Sequence, residues 1–149
     1  MRSNHILVVE SDEALREAVI GTVGVAVPAV GTGSGSEALR LLEELSPAMV
    51  LMNLQLGDMD GFTVLERIRG QLPEARVIVT SDSGNYDLVC RVTDIGVGDF
   101  LEKPYSTEDL FQSLNNSMQR VSRQLDYWTL ATRYNQKSRM RRRILLAYA

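Results

Sequence analysis

Five short apolar runs, each followed by a stretch of helical period, constrain this chain more than any other feature. The runs are His5–Val9, Val25–Val30 with Pro28 inside it, Met49–Met52, Val77–Val79, and the pair Phe100 and Leu101. Between them Ala14, Leu15, Ala18 and Val19 share one helical face, and Ala38, Leu39, Leu41, Leu42 and Leu45 share another. Phe62, Val64, Leu65 and Ile68 line a third helix, and Tyr86, Val89, Cys90, Val92 and Thr93 suggest a shorter fourth. Ser34 or Ser36 can cap the second helix, and Thr107 is expected to cap a last one from about Glu108. Parallel strands need a crossover and the intervening helix supplies it, so this alternation predicts an α/β fold with helices on both faces of a parallel sheet. Uninterrupted apolar strands agree, because such strands are buried on both sides. In an open sheet of this kind, function collects at the carboxyl ends of the strands. Glu10–Asp12, Asn53, Thr80–Ser81 and Lys103–Pro104 are therefore the positions to inspect.

Composition narrows the class. A length of 149 residues suits one core with some chain left over. Hydrophobic residues make up 44% and charged residues 23%, and no run approaches the ~20 apolar residues of a membrane span. A strand-like run begins almost at the first residue, without the pattern of a secretory leader, so a cytoplasmic setting is expected. The single cysteine, Cys90, reads as a small buried apolar group. Charge is uneven: residues 1–117 hold 8 basic and 18 acidic residues, a balance of −10, while residues 118–149 hold 8 basic residues and one acid, a balance of +7.

At the inspected positions the motifs become specific. The stretches ILVVESDEALREAV, LMNLQLGDMDGFTVLERIR, VIVTSDSGN and GVGDFLEKPYSTEDL, in this order and spacing, resemble the receiver domain of two-component response regulators over roughly residues 4–120. The resemblance implies a flavodoxin-like, doubly wound five-stranded sheet of order 2-1-3-4-5. It also implies a strand-three aspartate that takes a phosphoryl group from a histidine kinase, and a magnesium ion held by that aspartate with acids after strand one. Matched position by position, the resemblance makes Thr80 the switch hydroxyl, Phe100 the switch aromatic, Lys103 the lysine after strand five and Pro104 its cis-proline candidate. The acid pair becomes Glu10 and Ser11, the phosphoacceptor position is Asn53, and Gly57 stands where a proline often follows.

Those departures bear directly on chemistry. Magnesium takes hard oxygen ligands, usually including one or two carboxylates, and both positions expected to ligate it directly, 11 and 53, are neutral. An amide oxygen is a poor nucleophile for an acyl phosphate. Magnesium binding is therefore expected to be lost or weak, with no cofactor, and the degenerate pocket comprises Glu10, Ser11, Asp12, Asn53, Thr80 and Lys103. Lys103 is expected to meet Glu10 and to donate a hydrogen bond to Asn53. Asp12 is expected to face solvent, and Asp58 and Asp60 to serve turn chemistry beside Gly57 and Gly61.

The carboxyl-terminal region adds a second theme. Phe111, Leu114, Met118, Val121, Leu125 and Trp128 fall at 3, 4, 3, 4, 3 spacing, a helical seam continuing past the receiver-like part. Leu110, Phe111 and Leu114 read as packing on the sheet. Met118, Val121, Leu125 and Trp128 read as an extension that pairs two chains, with docking back on the same domain as the competing reading. Residues 121–149 are expected to be a helical extension or linker toward an output domain lying outside this sequence. Its last segment is similar to the linker and first helix of LuxR-type helix-turn-helix domains, without the recognition helix. Arg139, Arg141, Arg142 and Arg143 suit nucleic acid, an acidic partner or a solvated face.

The sequence therefore leaves two functional classes. One is a non-enzymatic pseudo-receiver acting through a protein partner or as a homodimer, with nucleic acid reached only through another domain. The other is a phosphorelay receiver, served by a sensor histidine kinase, that accepts phosphate on another acid. A small-ligand sensor using the same pocket is a third reading.

Overall fold

Strand residues of this chain divide by parity, and the two sets bury against different helices. Leu7, Val9, Val50, Met52, Val77, Val79 and Phe100 pack in one cluster with Ala38, Leu42, Val64, Leu65, Ile68, Val89 and Val92. Ile6, Val8, Met49, Leu51, Ile78 and Leu101 pack in the other with Val19, Val23, Leu110 and Leu114. Strand side chains alternate between faces, so one apolar run serves two cores.

The structure, a computed structural model, describes residues 3–118. In order the elements are β1 (Ser3–Val9), α1 (Glu13–Val23), β2 (Ala29–Thr32), α2 (Gly35–Leu45), β3 (Pro47–Asn53), α3 (Gly61–Gln71), β4 (Arg76–Ser81), α4 (Tyr86–Ile95), β5 (Asp99–Glu102) and α5 (Thr107–Met118). All strand pairings are parallel and the sheet order is β2-β1-β3-β4-β5, as the resemblance implied. Helices α2, α3 and α4 cover one face, α1 and α5 the other.

Several local expectations need correction. The second strand starts at Ala29 and runs to Thr32, four residues later than its apolar run. Pro28 has no N–H to give to a ladder; its carbonyl accepts from the Ile6 amide at 2.9 Å, and pairing proper begins with the next residue. Val25, expected inside the strand, is 88% exposed in the loop before it. On α1 the buried stripe is Val19 and Val23, with Leu15 packed at its edge, while Ala14 and Ala18 face solvent. Tyr86 and Phe111 are also exposed, since Val89 and Val92 on α4, and Leu110 and Leu114 on α5, occupy the inward faces. Cys90 is half-buried.

Caps explain the helix boundaries. Ser34, not Ser36, caps α2 and accepts from the Glu37 amide, and Asp12, Asp60 and Asn85 cap α1, α3 and α4. Helix α5 is capped by Ser106 in place of Thr107. The Ser106 Oγ accepts from the Asp109 amide at 3.0 Å and the Asp109 carboxylate accepts from the Ser106 amide at 3.3 Å, a reciprocal capping box. Gly96 ends α4 at φ 101°, a left-handed conformation open to glycine. Of the helical seam, Met118 is the last residue of α5 as described; Val121, Leu125 and Trp128, the boundary at residue 120 and the basic segment all lie outside the described residues.

Candidate functional site

At the carboxyl edge of the sheet, β1, β3 and β5 bring Glu10, Asn53 and Lys103 into one hydrogen-bonded cluster. Glu10 follows β1, where its amide extends the pairing with β2 by donating to the Thr32 carbonyl at 2.9 Å. Its carboxylate is buried, and every bond made to it comes from a donor. Oε1 meets Lys103 Nζ at 2.5 Å. Oε2 accepts from Asn53 Nδ2 and from the Asp12 amide, each at 3.0 Å. The Glu10 carbonyl accepts from Arg16 Nη1 at 2.8 Å. A buried carboxylate is tolerated only with such pairing.

The expected Glu10–Lys103 contact is present, but the expected bond from Lys103 to Asn53 is not. Asn53 Oδ1 accepts instead from the Gln55 amide at 3.1 Å, and Nδ2 donates both to Glu10 and to the Gln55 carbonyl, the latter at 3.1 Å. These partners fix the amide's orientation: a carboxylate and a carbonyl only accept, and a backbone N–H only donates. The lysine goes to the full negative charge of Glu10, which attracts it more strongly than an amide dipole. Ser11 is exposed and its Oγ donates to the same Gln55 carbonyl at 3.1 Å.

The remaining expected residues surround this cluster. Asp12 is exposed and its Oδ1 accepts from the Leu15 amide at 3.0 Å, committing it to the cap of α1. Thr80 is buried beside Asn53, its register partner in β4. Phe100 is buried on the α4 side of β5. The Lys103–Pro104 peptide is cis.

Neither Gln55 nor Tyr105 is among the positions the sequence singles out, and Asp58, expected to serve its own turn, bonds another element. Gln55 joins the β3–α3 loop to β4: its Nε2 donates to Ser81 Oγ at 2.8 Å, and its Oε1 accepts from Ser81 Oγ at 3.2 Å and from the Asp82 amide at 3.1 Å. Tyr105 sits half-buried next to the ion pair; burial, and then the negative charge of Glu10, push its phenol up to about 12. Asp58 reaches across to the start of α2, where Oδ1 accepts from the Gly35 amide at 2.8 Å and Oδ2 from the Ser36 amide and Ser34 Oγ, both at 3.1 Å. The Gly35 and Ser36 amides hold its carboxyl down to about 2. Asp60 does serve the turn, capping α3. No signal of periodicity marks Gln55 or Tyr105; an acid within a Gly-Asp-X-Asp-Gly turn was the one available hint for Asp58.

Comparison with known proteins agrees with this architecture. The model of the response regulator receiver domain matches residues 6–115. The chain is 29% identical to the chemotaxis protein CheY of Bacillus subtilis over 85 residues, covering 57% of this chain and 71% of that one. It is 31% identical over 118 residues to the probable C4-dicarboxylate response regulator DctR of the same organism, covering 76% of this chain and 52% of the relative. It therefore spans about half the length of that regulator. Among solved structures, the signal receiver domain of a LuxO repressor protein from Vibrio parahaemolyticus superposes with a TM-score of 0.72 at 23% identity, covering 94% of this chain and 98% of that one. At that identity the likeness speaks for the fold. With the family model spanning most of the sheet and every strand end described above, the chain belongs to the response regulator receiver domain family of two-component signalling.

Proposed function

We propose that this receiver is a pseudo-receiver: it controls an output through protein contacts, without aspartyl phosphorylation at position 53 and without a resident magnesium ion. The observation that carries the reading is the Gln55 carbonyl, which accepts from Ser11 Oγ and from Asn53 Nδ2, both at 3.1 Å. A hard divalent cation needs converging oxygen lone pairs, some of them carboxylate. At positions 11 and 53 the side chains instead direct hydrogens at the one carbonyl they share, so this donor set does not fit magnesium. Asn53 also lacks the charged oxygen that an acyl phosphate requires.

Neighbouring acids are committed to the fold. Glu10 is buried against Lys103, Asn53 and the Asp12 amide, and Asp12 caps α1. Signalling then rests on surface recognition in the cytoplasm, by a protein partner or by a second copy paired along Met118, Val121, Leu125 and Trp128. A sensor histidine kinase remains a contact of the family's kind, and nucleic acid would be reached through a further domain.

The test is intact-protein mass after incubation with acetyl phosphate and magnesium, beside the double variant Ser11→Asp with Asn53→Asp. The expected result is no phosphate-sized gain in the wild type and a gain in the double variant. A gain in the wild type overturns the reading and transfers the acceptor role to another acid, Asp12 and Glu10 first.

A further inference from the structure

Every polar group of Gln55 is engaged, and its partners lie on different segments. Its amide donates to Asn53 Oδ1, and its carbonyl accepts from Ser11 and Asn53. Gln55 also forms an isolated antiparallel bridge with Asp60, which closes the β3–α3 loop on itself. Its side-chain amide lies against Ser81 and the Asp82 amide, at the start of the β4–α4 loop. Ser81 Oγ is saturated by this arrangement: it accepts from Gln55 Nε2 and from the Ser83 amide at 3.2 Å, and donates to Gln55 Oε1.

We infer that Gln55 is a positioning residue that fixes the β4–α4 loop, and through it the first turn of α4, by hydrogen bonds that need no phosphoryl group. The inference deepens the proposed function and rests on its reading of the site as phosphate-independent. The path is short. Only Asp82, Ser83 and Gly84 separate Ser81 from Asn85, the cap that accepts from the Leu88 amide at 2.8 Å and the Val89 amide at 3.1 Å. The amides of Asp82 and Ser83 are held, one by Gln55 itself and one by the Ser81 hydroxyl that Gln55 orients. Loops of three polar residues with a solvent-facing backbone are otherwise among the first parts of a domain to open. Gln55 thus couples the β1–α1 and β3–α3 loops, where Ser11 and Asn53 sit, to the helix next along the edge.

Amide hydrogen exchange by NMR on the full chain, without phosphodonor or divalent cation, tests this. Gln55→Leu keeps the bulk and removes both side-chain contacts. Exchange at Asp82 and Ser83 is expected to quicken about tenfold or more, and at Leu88 and Val89 several-fold, while Gly35 and Ser36, held by Asp58, stay unchanged. Gln55→Glu keeps an acceptor for Asp82 and Ser81 and is expected to restore most of the protection. Gln55→Ala, which removes the same side-chain bonds without adding an apolar side chain, must quicken Asp82, Leu88 and Val89 and decides the matter should Gln55→Leu fail to fold. Acceleration confined to Asp82, with Leu88 and Val89 unmoved, overturns the inference and assigns the loop to packing of Val89 and Val92. A phosphate-sized mass gain in the wild type would remove the pseudo-receiver reading while leaving this exchange pattern intact, so the two failures are distinguishable.

Discussion

Replacing Lys103 by methionine keeps the stem and removes the charge that Glu10 is buried against. The ion pair is short, 2.5 Å, and its side chains are 13% and 4% exposed for lysine and glutamate. Breaking a buried pair from one side typically costs about 3–5 kcal/mol, because the remaining charge stays desolvated. Glu10 would keep the Asp12 amide and Asn53 Nδ2, each at 3.0 Å, which places the loss at the lower end, about 3 kcal/mol. In urea, with a slope of about 1.5 kcal/mol per molar, the unfolding midpoint should fall by about 2 M. The thermal midpoint should fall by roughly 10 °C. The double variant Glu10→Gln with Lys103→Met removes both charges and should regain at least half of the loss. A midpoint shift below about 0.5 M for Lys103→Met would refute the reasoning, since it means that water already reaches Glu10 and the pair is a surface one.

Two further outcomes follow from other parts of the edge. Asp58 is held at about 2 by the amides of α2, and a carboxyl group depressed on folding contributes stability above its unfolded value and loses it as pH falls. The thermal-midpoint difference between wild type and Asp58→Ala should therefore be flat above pH ~4 and shrink toward pH ~2; a difference that persists unchanged to pH ~2 contradicts the α2 anchor. At the start of α3, a Cβ on Gly61 would lie 2.3 Å from the Leu54 carbonyl oxygen and 2.7 Å from its Cα. Gly61→Ala should cost about 1–3 kcal/mol by urea unfolding despite alanine's helix preference, whereas Gly57→Ala, with nothing within 4 Å of its Cβ, should be near neutral.

Fold and site differed in how much of each the sequence disclosed. The two-sided core follows from the apolar runs, and the sheet order from the family resemblance that the strand-end motifs carry; both survive small shifts of boundary. Val25–Val30 is apolar enough for a strand along its whole length, while Pro28 decides where pairing begins, and periodicity carries no information on ladder donors. Either hydroxyl, Ser106 or Thr107, suits a cap, and only the returning Asp109 carboxylate distinguishes them. Within the site, the Glu10–Lys103 pair is foreseeable as one anion and one cation gathered at the carboxyl edge of the sheet. The place of Asn53 in it is not, since which hydrogen-bonding face an amide presents depends on Gln55, two residues away in sequence but turned back by the loop. Asp58 meets residues 22 and 23 positions distant, and Gln55 meets residues 26 and 27 positions distant. Contacts of that kind depend on how neighbouring loops approach, which no residue pattern within either loop encodes.

The two donors on the Gln55 carbonyl also bear on inheritance. Change Ser11 alone to an acid, and a carboxylate is set against a carbonyl with Asn53 still occupying it; change Asn53 alone, and a second carboxylate arrives where Nδ2 now lies 3.0 Å from Glu10 Oε2. Each single change meets repulsion that a cation held between two acids would relieve. The same single-residue intermediates lie between the two states in either direction, so positions 11 and 53 are expected to change together, as one unit joined at the Gln55 carbonyl.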